Sequence, residues 1–367
     1  LEGGVRLAPT RPIVAVAAAA YAAFTLLALA RHGGDPLWFV WIGERWAHGA
    51  LGGSTGYDGQ FVLYIARDGW DAAPHLDAPG YRFGRIGYPL AVRWLSGGQA
   101  GWLPWSMLAI NYAAVVAATA VLAGWLARRA TSPWWALVYA GSVGLLFAYS
   151  RDTTEPLAYG LAAGGVIAWM EDRRLAGALL LAAGGLTRET TLLFIAALAL
   201  PALLDRRWRA LPLLALAALP TLAWHAYLAG HFANPSVGVA GLLTPLAFLA
   251  ALRCENWEIG RLLALVLVGL PTLALLPGAL AWVWRQPRNP LVWLIALNAL
   301  LVLTLPVESY LHVLGAARLS LGLIVALLLA FPDLSSGLRV AIAACCVGPT
   351  LLWAPVMLYW APWTAVR

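Results

Sequence analysis

Residues 175–204 read LAGALLLAAGGLTRETTLLFIAALALPALL. As one straight helix this stretch would extend about 45 Å, well beyond a hydrocarbon core of about 30 Å. Its apolar run is interrupted at the middle by Gly184, Gly185 and the polar set Thr187-Arg188-Glu189-Thr190. Charged flanks stand at both ends, Glu171-Asp172-Arg173-Arg174 before it and Asp205-Arg206-Arg207 with Arg209 after it. The pattern predicts a broken, re-entrant pair of half-helices that enters from one face and returns to it, with Arg188 and Glu189 at the turn and Thr187 opening the second half. Polar, irregular backbone at that depth is tolerated only where it lines a cavity.

The rest of the chain supplies the membrane for that loop. Hydrophobic residues make up 62% and charged residues 11%, whereas a soluble domain carries about 25% charged residues. Apolar, charge-free runs of span length recur from end to end. They predict an all-α, polytopic integral membrane protein forming a single transmembrane domain over 1–367. Nine full spans are expected, near 13–30, 103–127, 134–150, 155–170, 209–230, 261–284, 290–307, 311–331 and 340–361. Residues 13–30 follow Arg6 and Arg11, lack a small-residue cleavage site, and read as the first span rather than a signal peptide.

Charge placement orients this threading. It puts twelve arginines and five acids on one side, and the remaining twelve arginines and twelve acids on the other. The first side has the short, arginine-dense loops and is the expected cytoplasmic one. All 24 basic residues are arginine, which fits the codon bias of a GC-rich bacterium. The expected location is therefore a bacterial inner membrane, with the chemistry facing the periplasm or exterior. Nucleic acid is excluded as a partner, because the arginines stand singly or in pairs at span ends, without a basic, aromatic-interleaved patch. Cys254, Cys345 and Cys346 have no metal-ligand spacing and read as buried apolar thiols.

Two external segments stand out. Residues 31–102 contain two amphipathic stretches too short to span, Leu37–Trp46 and Ile86–Leu95. Residues 231–260 form the second segment, in which Leu242–Leu252 is expected to lie in or dip into the membrane. The 20 tryptophans gather near span ends, as interfacial belts do.

The first of these segments carries most of the chemistry. It reads Tyr57-Asp58-Gly59-Gln60-Phe61, then Tyr64-Ile65-Ala66-Arg67-Asp68-Gly69-Trp70, and continues through Arg82 and Arg85 to Tyr88-Pro89-Leu90. Further on stand Ser150-Arg151-Asp152-Thr153-Thr154-Glu155-Pro156-Leu157 and Leu186-Thr187-Arg188-Glu189-Thr190. In order and on one membrane face, these elements resemble the GT-C superfamily of polyprenyl-phosphate-sugar-dependent glycosyltransferases. They are most similar to the branch containing the second mannosyltransferase of GPI-anchor synthesis and its bacterial relatives. The resemblance spans roughly residues 50–205. Tyr57 stands where that branch usually has tryptophan, and Tyr88-Pro89 where it has Phe-Pro. It implies a GT-C-like fold with interfacial helices in the first external loop. It also implies a polyprenyl-phosphate sugar entering laterally from the outer leaflet, a mannose-like hexose or arabinose. The acceptor would be a glycan, lipid or protein, with no cofactor required.

From the residues alone, Asp58 is the best general base, since transfer needs an acceptor hydroxyl deprotonated as the phosphate departs. The competing reading is an ordinary Asp-Gly turn. Arg82, Arg85, Arg151, Arg188 and Arg318 are the candidate phosphate ligands, because guanidinium stays charged when desolvated and grips phosphate in two places. Arg188 and Arg318 interrupt apolar runs, where charge is costly and usually functional; their alternative is ion pairing with Glu189, Glu308 or Asp152. Arg82 and Arg85 serve equally well as anchors to lipid headgroups. Tyr57, Gln60, Asp152, Glu155, Glu189 and His312 are the candidate substrate contacts. Glu155 also reads as part of a capping box, Asp-Thr-Thr-Glu, before Pro156. A divalent metal held by Asp58 with Asp152 or Glu155 is the less favoured arrangement. No Gly-rich phosphate loop follows a strand, which argues against a nucleotide-sugar donor. A transporter or flippase and a non-catalytic GT-C-like subunit are the alternatives.

Overall fold

The computed structural model describes residues 10–50, 52–232 and 259–359, and every regular element among them is helical. In chain order these are α1 (Arg11–Arg31), α2 (Leu37–Val40), α3 (Glu44–His48), α4 (Asp58–Asp68), α5 (Pro79–Phe83), α6 (Gly87–Leu95), α7 (Leu103–Arg128), α8 (Leu137–Ala140) and α9 (Val143–Ser150). They continue as α10 (Glu155–Met170), α11 (Arg174–Thr187), α12 (Leu192–Leu204) and α13 (Leu211–His231). After these come α14 (Ile259–Arg285), α15 (Pro290–Thr304), α16 (Val313–Leu319), α17 (Leu321–Ala330) and α18 (Ser336–Tyr359).

Five helices are long and apolar enough to cross a membrane: α1, residues Ala100–Arg128 that include α7, α13, α14 and α18. The bent pair formed by α16 and Leu321–Asp333, angled by 48°, adds a sixth if counted as one span. These make the chain a multi-pass membrane protein. Three of the nine expected spans come out differently. Residues 134–150 break at Gly141-Ser142 between α8 and α9, while α10 has 16 residues and α15 has 15. A helix of 16 residues rises about 24 Å, short of the hydrocarbon core.

Each break is satisfied by its neighbours, as backbone away from water must be. The carbonyl of Ala140 accepts from the Tyr21 hydroxyl at 2.9 Å, and that of Gly141 from Thr350 Oγ1 at 2.6 Å. At the second break Thr191 Oγ1 donates to the carbonyl of Arg188 at 2.9 Å. Thr187 closes α11 instead of opening α12; its hydroxyl bonds back to Ala183. Small residues then let backbones approach. A Cβ on Gly177 would lie 2.9 Å from the Gly165 carbonyl oxygen, so α10 and α11 touch main chain to main chain.

The two ends of the bundle differ in chemistry. At one, Arg128 pairs with Glu171 at 2.6 Å, and Asp205 holds both Arg207 (2.9 Å) and Arg288 (2.7 Å). A cavity of about 280 Å³ there is lined by Asp172 and Arg174 ahead of α11 and by Asp205 and Arg207 after α12. Both flanks of 175–204 thus meet at one end, while the break at Arg188 borders a larger cavity at the other.

Within residues 31–102 the expected Leu37–Trp46 stretch is two short helices separated at the left-handed Trp41, and the expected Ile86–Leu95 stretch contains α6. The expected dip at Leu242–Leu252, and Cys254, lie outside the described residues. Cys345 and Cys346 line an apolar cavity of about 450 Å³; Cys345 is exposed and Cys346 partly so, in place of the buried thiols expected.

Candidate active site

Asp58 is the first residue of α4, an 11-residue amphipathic helix rather than part of a loop turn. That start is possible because position 59 is glycine. A Cβ there would collide with the carbonyl oxygen of Arg151 and lie 3.0 Å from that of Val40. Gln60 is fully buried and serves the scaffold, accepting from the Gly43 N–H at 3.0 Å and donating to the Thr55 carbonyl at 2.7 Å. It thereby holds Ser54, Thr55 and Gly56 as one lip of the larger cavity.

That cavity measures about 810 Å³, and its wall carries Tyr57, Asp58, Arg82, Arg85, Arg188, Glu189, His312 and Arg318. The charged groups interlock. Arg82 Nη1 lies 3.0 Å from Asp58 Oδ1, and its Nε and Nη2 donate to both oxygens of Asp77 at 2.7 Å. Arg318 Nη1 donates to Asp58 Oδ2 at 2.6 Å, while its Nε sits 3.2 Å from Glu155 Oε1. The same Glu155 oxygen lies 2.8 Å from Arg188 Nη1. Arg85 forms a two-point pair with Glu189 at 3.0 and 3.1 Å and also donates to the Tyr81 hydroxyl. A single guanidinium and a single carboxylate therefore connect Asp58 to Arg188.

The ion-pair partners differ from those read in the sequence. Arg188 and Arg318 take Glu155, not Glu189, Glu308 or Asp152. Glu155 makes no capping bond, since α10 begins at that residue and Thr154 supplies no side-chain cap. It is fully buried and borders a small adjoining pocket rather than the large cavity. From there it faces both Arg188 and Arg318. Asp152 is also fully buried, in left-handed backbone (φ 44°), with Asn111 donating to its Oδ1 at 3.2 Å. Arg151 does not reach the cavity wall. It is boxed by Trp38, Trp41 and Phe147, with its guanidinium carbon 4.6–5.8 Å from the ring centres. Cation–π attraction of this kind stabilises a buried charge without a carboxylate. The residues missed in sequence are Asp77, which holds Arg82, and Tyr81 and Tyr159, which line the cavity; their only signal was position within the polar first loop or on an apolar helix face.

Electrostatics follow the geometry. Burial pushes the Asp58 carboxyl up, but the guanidinium groups of Arg82 and then Arg318 outweigh it and hold the group well below the usual carboxylate range. Asp58 is thus ionised throughout the neutral range. Burial raises the neighbouring Tyr57 hydroxyl to about 12, with Arg318 opposing, so Tyr57 stays a neutral donor. Its ring stacks on Trp41 and carries the Arg318 guanidinium 5.0 Å above it. Among the described residues no three His, Cys, Asp or Glu side chains converge on one point; Asp58 and Glu189 on the cavity wall meet guanidinium instead.

Arg318 is placed by a close helix contact. A Cβ on Gly144 of α9 would strike the carbonyl of Ala317 and lie 2.8 Å from the Arg318 nitrogen. Gly144→Ala is expected to push α16 outward, to cost about 1–3 kcal/mol as overpacked sites do, and to lower any activity that needs Arg318. Thermal unfolding in detergent checks it against Gly337→Ala, where nothing lies within 4 Å and no loss is expected.

No family model, curated protein or solved structure matches the chain.

Proposed function

We propose that the protein is an inverting glycosyltransferase of GT-C type, moving a sugar from a polyprenyl-phosphate donor to an acceptor hydroxyl outside the cytoplasm. The observation that carries this reading is the Asp58 carboxylate, ionised and set between Arg82 and Arg318 on the wall of an 810 Å³ cavity. Inverting transfer needs a carboxylate base beside cations that stabilise a departing phosphate, and a carboxylate between two guanidinium groups supports that reading. Asp58 takes the acceptor proton as the acceptor oxygen bonds to the anomeric carbon. The bond from that carbon to the phosphate oxygen breaks, and its electron pair leaves on the phosphate. Arg82, Arg318 and Arg188 face that charge, and Tyr57, Glu189 and His312 border the sugar and acceptor.

The lipid chain needs an apolar path. The 450 Å³ cavity, lined by Val143, Pro271, Ala317 and Leu323, shares Val313 with the polar cavity. In this reading it takes the isoprene units next to the phosphate. The sugar is a mannose-like hexose or arabinose, and the membrane is a bacterial inner membrane. The test is release of polyprenyl phosphate by purified protein from polyprenyl-phosphate mannose, glucose and arabinose, each with a hydroxyl acceptor. Release with one of them is expected. A transporter is the second reading, favoured by the break at Arg188 on the polar cavity and the bend at Ser320 on the apolar one, because broken helices also mark transport sites. Solute counterflow in liposomes, with no turnover of any donor, would establish it instead.

A further inference from the structure

Asp58 and a donor phosphate have to use the same guanidinium groups. Both Asp58 oxygens are occupied, one by Arg82 Nη1 and one by Arg318 Nη1. The other ion pairs of these arginines go to Asp77 and Glu155. Counted around the cavity, Arg82, Arg85, Arg188 and Arg318 face Asp58, Asp77, Glu155 and Glu189. Four cations meet these four carboxylates, and a fifth carboxylate, Glu308, also lines the cavity, so no surplus positive charge waits for a phosphate. A carboxylate held by two guanidinium groups is also a weak base, because protonation would break both pairs.

One exchange removes both obstacles. We propose that Arg82 and Arg318 are shared anion ligands: without donor they hold Asp58 in a double ion pair, and the lipid-linked phosphate displaces it and frees it to act as base. This rests on the reading of Asp58 as the base of a glycosyl transfer. Charge accounts for the direction. The donor phosphate is a diester with one negative charge. When transfer is complete the phosphate carries two and Asp58, protonated, carries none. The negative charge moves from Asp58 to the phosphate across the two arginines that both contact. Their hold on phosphate is therefore strongest as the bond breaks, the condition for accelerating the chemical step. Arg82 is anchored by Asp77 and Arg318 by Glu155, so each keeps its place while exchanging its other carboxylate partner.

The proposal makes an unusual demand on Asp58→Asn: it should tighten phosphate binding. The experiment measures binding of polyprenyl phosphate, which carries no sugar, to the full chain in nanodiscs. Asp58→Asn is expected to bind it about tenfold more tightly than wild type, and Asp77→Asn, which frees Arg82 from its other partner, also more tightly. The gain from Asp58→Asn should vanish in the Arg82→Gln/Arg318→Gln background, and binding of the phosphate-free polyprenol should not change. Equal or weaker binding by both asparagine variants overturns the exchange. So does a gain that persists without the two arginines, which would mark mere removal of a negative charge. Because binding is read without chemistry, the two readings fail separately. Tightening without turnover of any sugar donor keeps the shared site and removes the transferase; turnover without tightening does the reverse.

Discussion

Asp58→Asn is expected to lower sugar transfer about a thousandfold while leaving the protein folded. Positioned general bases contribute about 10²–10⁴ in rate, and asparagine cannot take a proton at any relevant pH. The substitution keeps the side-chain shape and one acceptor oxygen for Arg318, which Asp58 now contacts at 2.6 Å. The first turn of α4 and its packing over Gly59 remain as they are. Release of polyprenyl phosphate measures the loss, and thermal unfolding within a few degrees of wild type shows that it is chemical. Turnover within a few-fold of wild type would remove Asp58 from the base role, whatever the affinity for phosphate does.

Glu155→Ala is expected to produce the largest loss of stability. Glu155 is fully buried, and Arg188, only 2% exposed, lies 2.8 Å away. Arg318, at 3.2 Å, loses its anchor as well. Removing one partner of a buried ion pair costs about 3–5 kcal/mol, because the remaining charge is left without compensation. Here Arg188, at the break between α11 and α12, loses its carboxylate, while Arg318 keeps Asp58. A fall in the thermal unfolding temperature in detergent measures this. Glu155→Gln is expected to cost less, since it retains an acceptor oxygen, yet it also slackens the aim of both arginines. Unfolding of Glu155→Ala at the wild-type temperature would mean that the pairs seen here contribute nothing.

Some of this was legible residue by residue. The interruption at Thr187-Arg188-Glu189 is visible because polar residues stand out against an apolar run, and the structure breaks the helix at that point. Other features were hidden for identifiable reasons. Tyr57-Asp58-Gly59 has turn chemistry, so the helix beginning at Asp58 is concealed by its own first residues. Gly141-Ser142 is too mild a signal to separate α8 from α9, because its freed carbonyls are satisfied by Tyr21 and Thr350, far away in sequence. Glu155 sits where a capping box is plausible, and only the approach of Arg188 and Arg318 gives it another use. The setting of Arg151 likewise depends on Trp38 and Trp41, over a hundred positions earlier.

By itself the sequence determined that this is a membrane protein of helices and that 175–204 is interrupted at Arg188, and it singled out Asp58, Glu189 and the arginines as the charged groups to examine. Those conclusions rest on hydropathy and on the energetic cost of charge in an apolar run, both local properties of the chain. Only the tertiary structure decided which carboxylate meets which guanidinium, that Glu155 aims two arginines from behind the wall, and that Gln60, Asp152 and Arg151 stand off the cavity. Pairing depends on distances of a few ångströms between residues as far apart as Asp58 and Arg318, and those distances are set by packing at glycines such as Gly59 and Gly144.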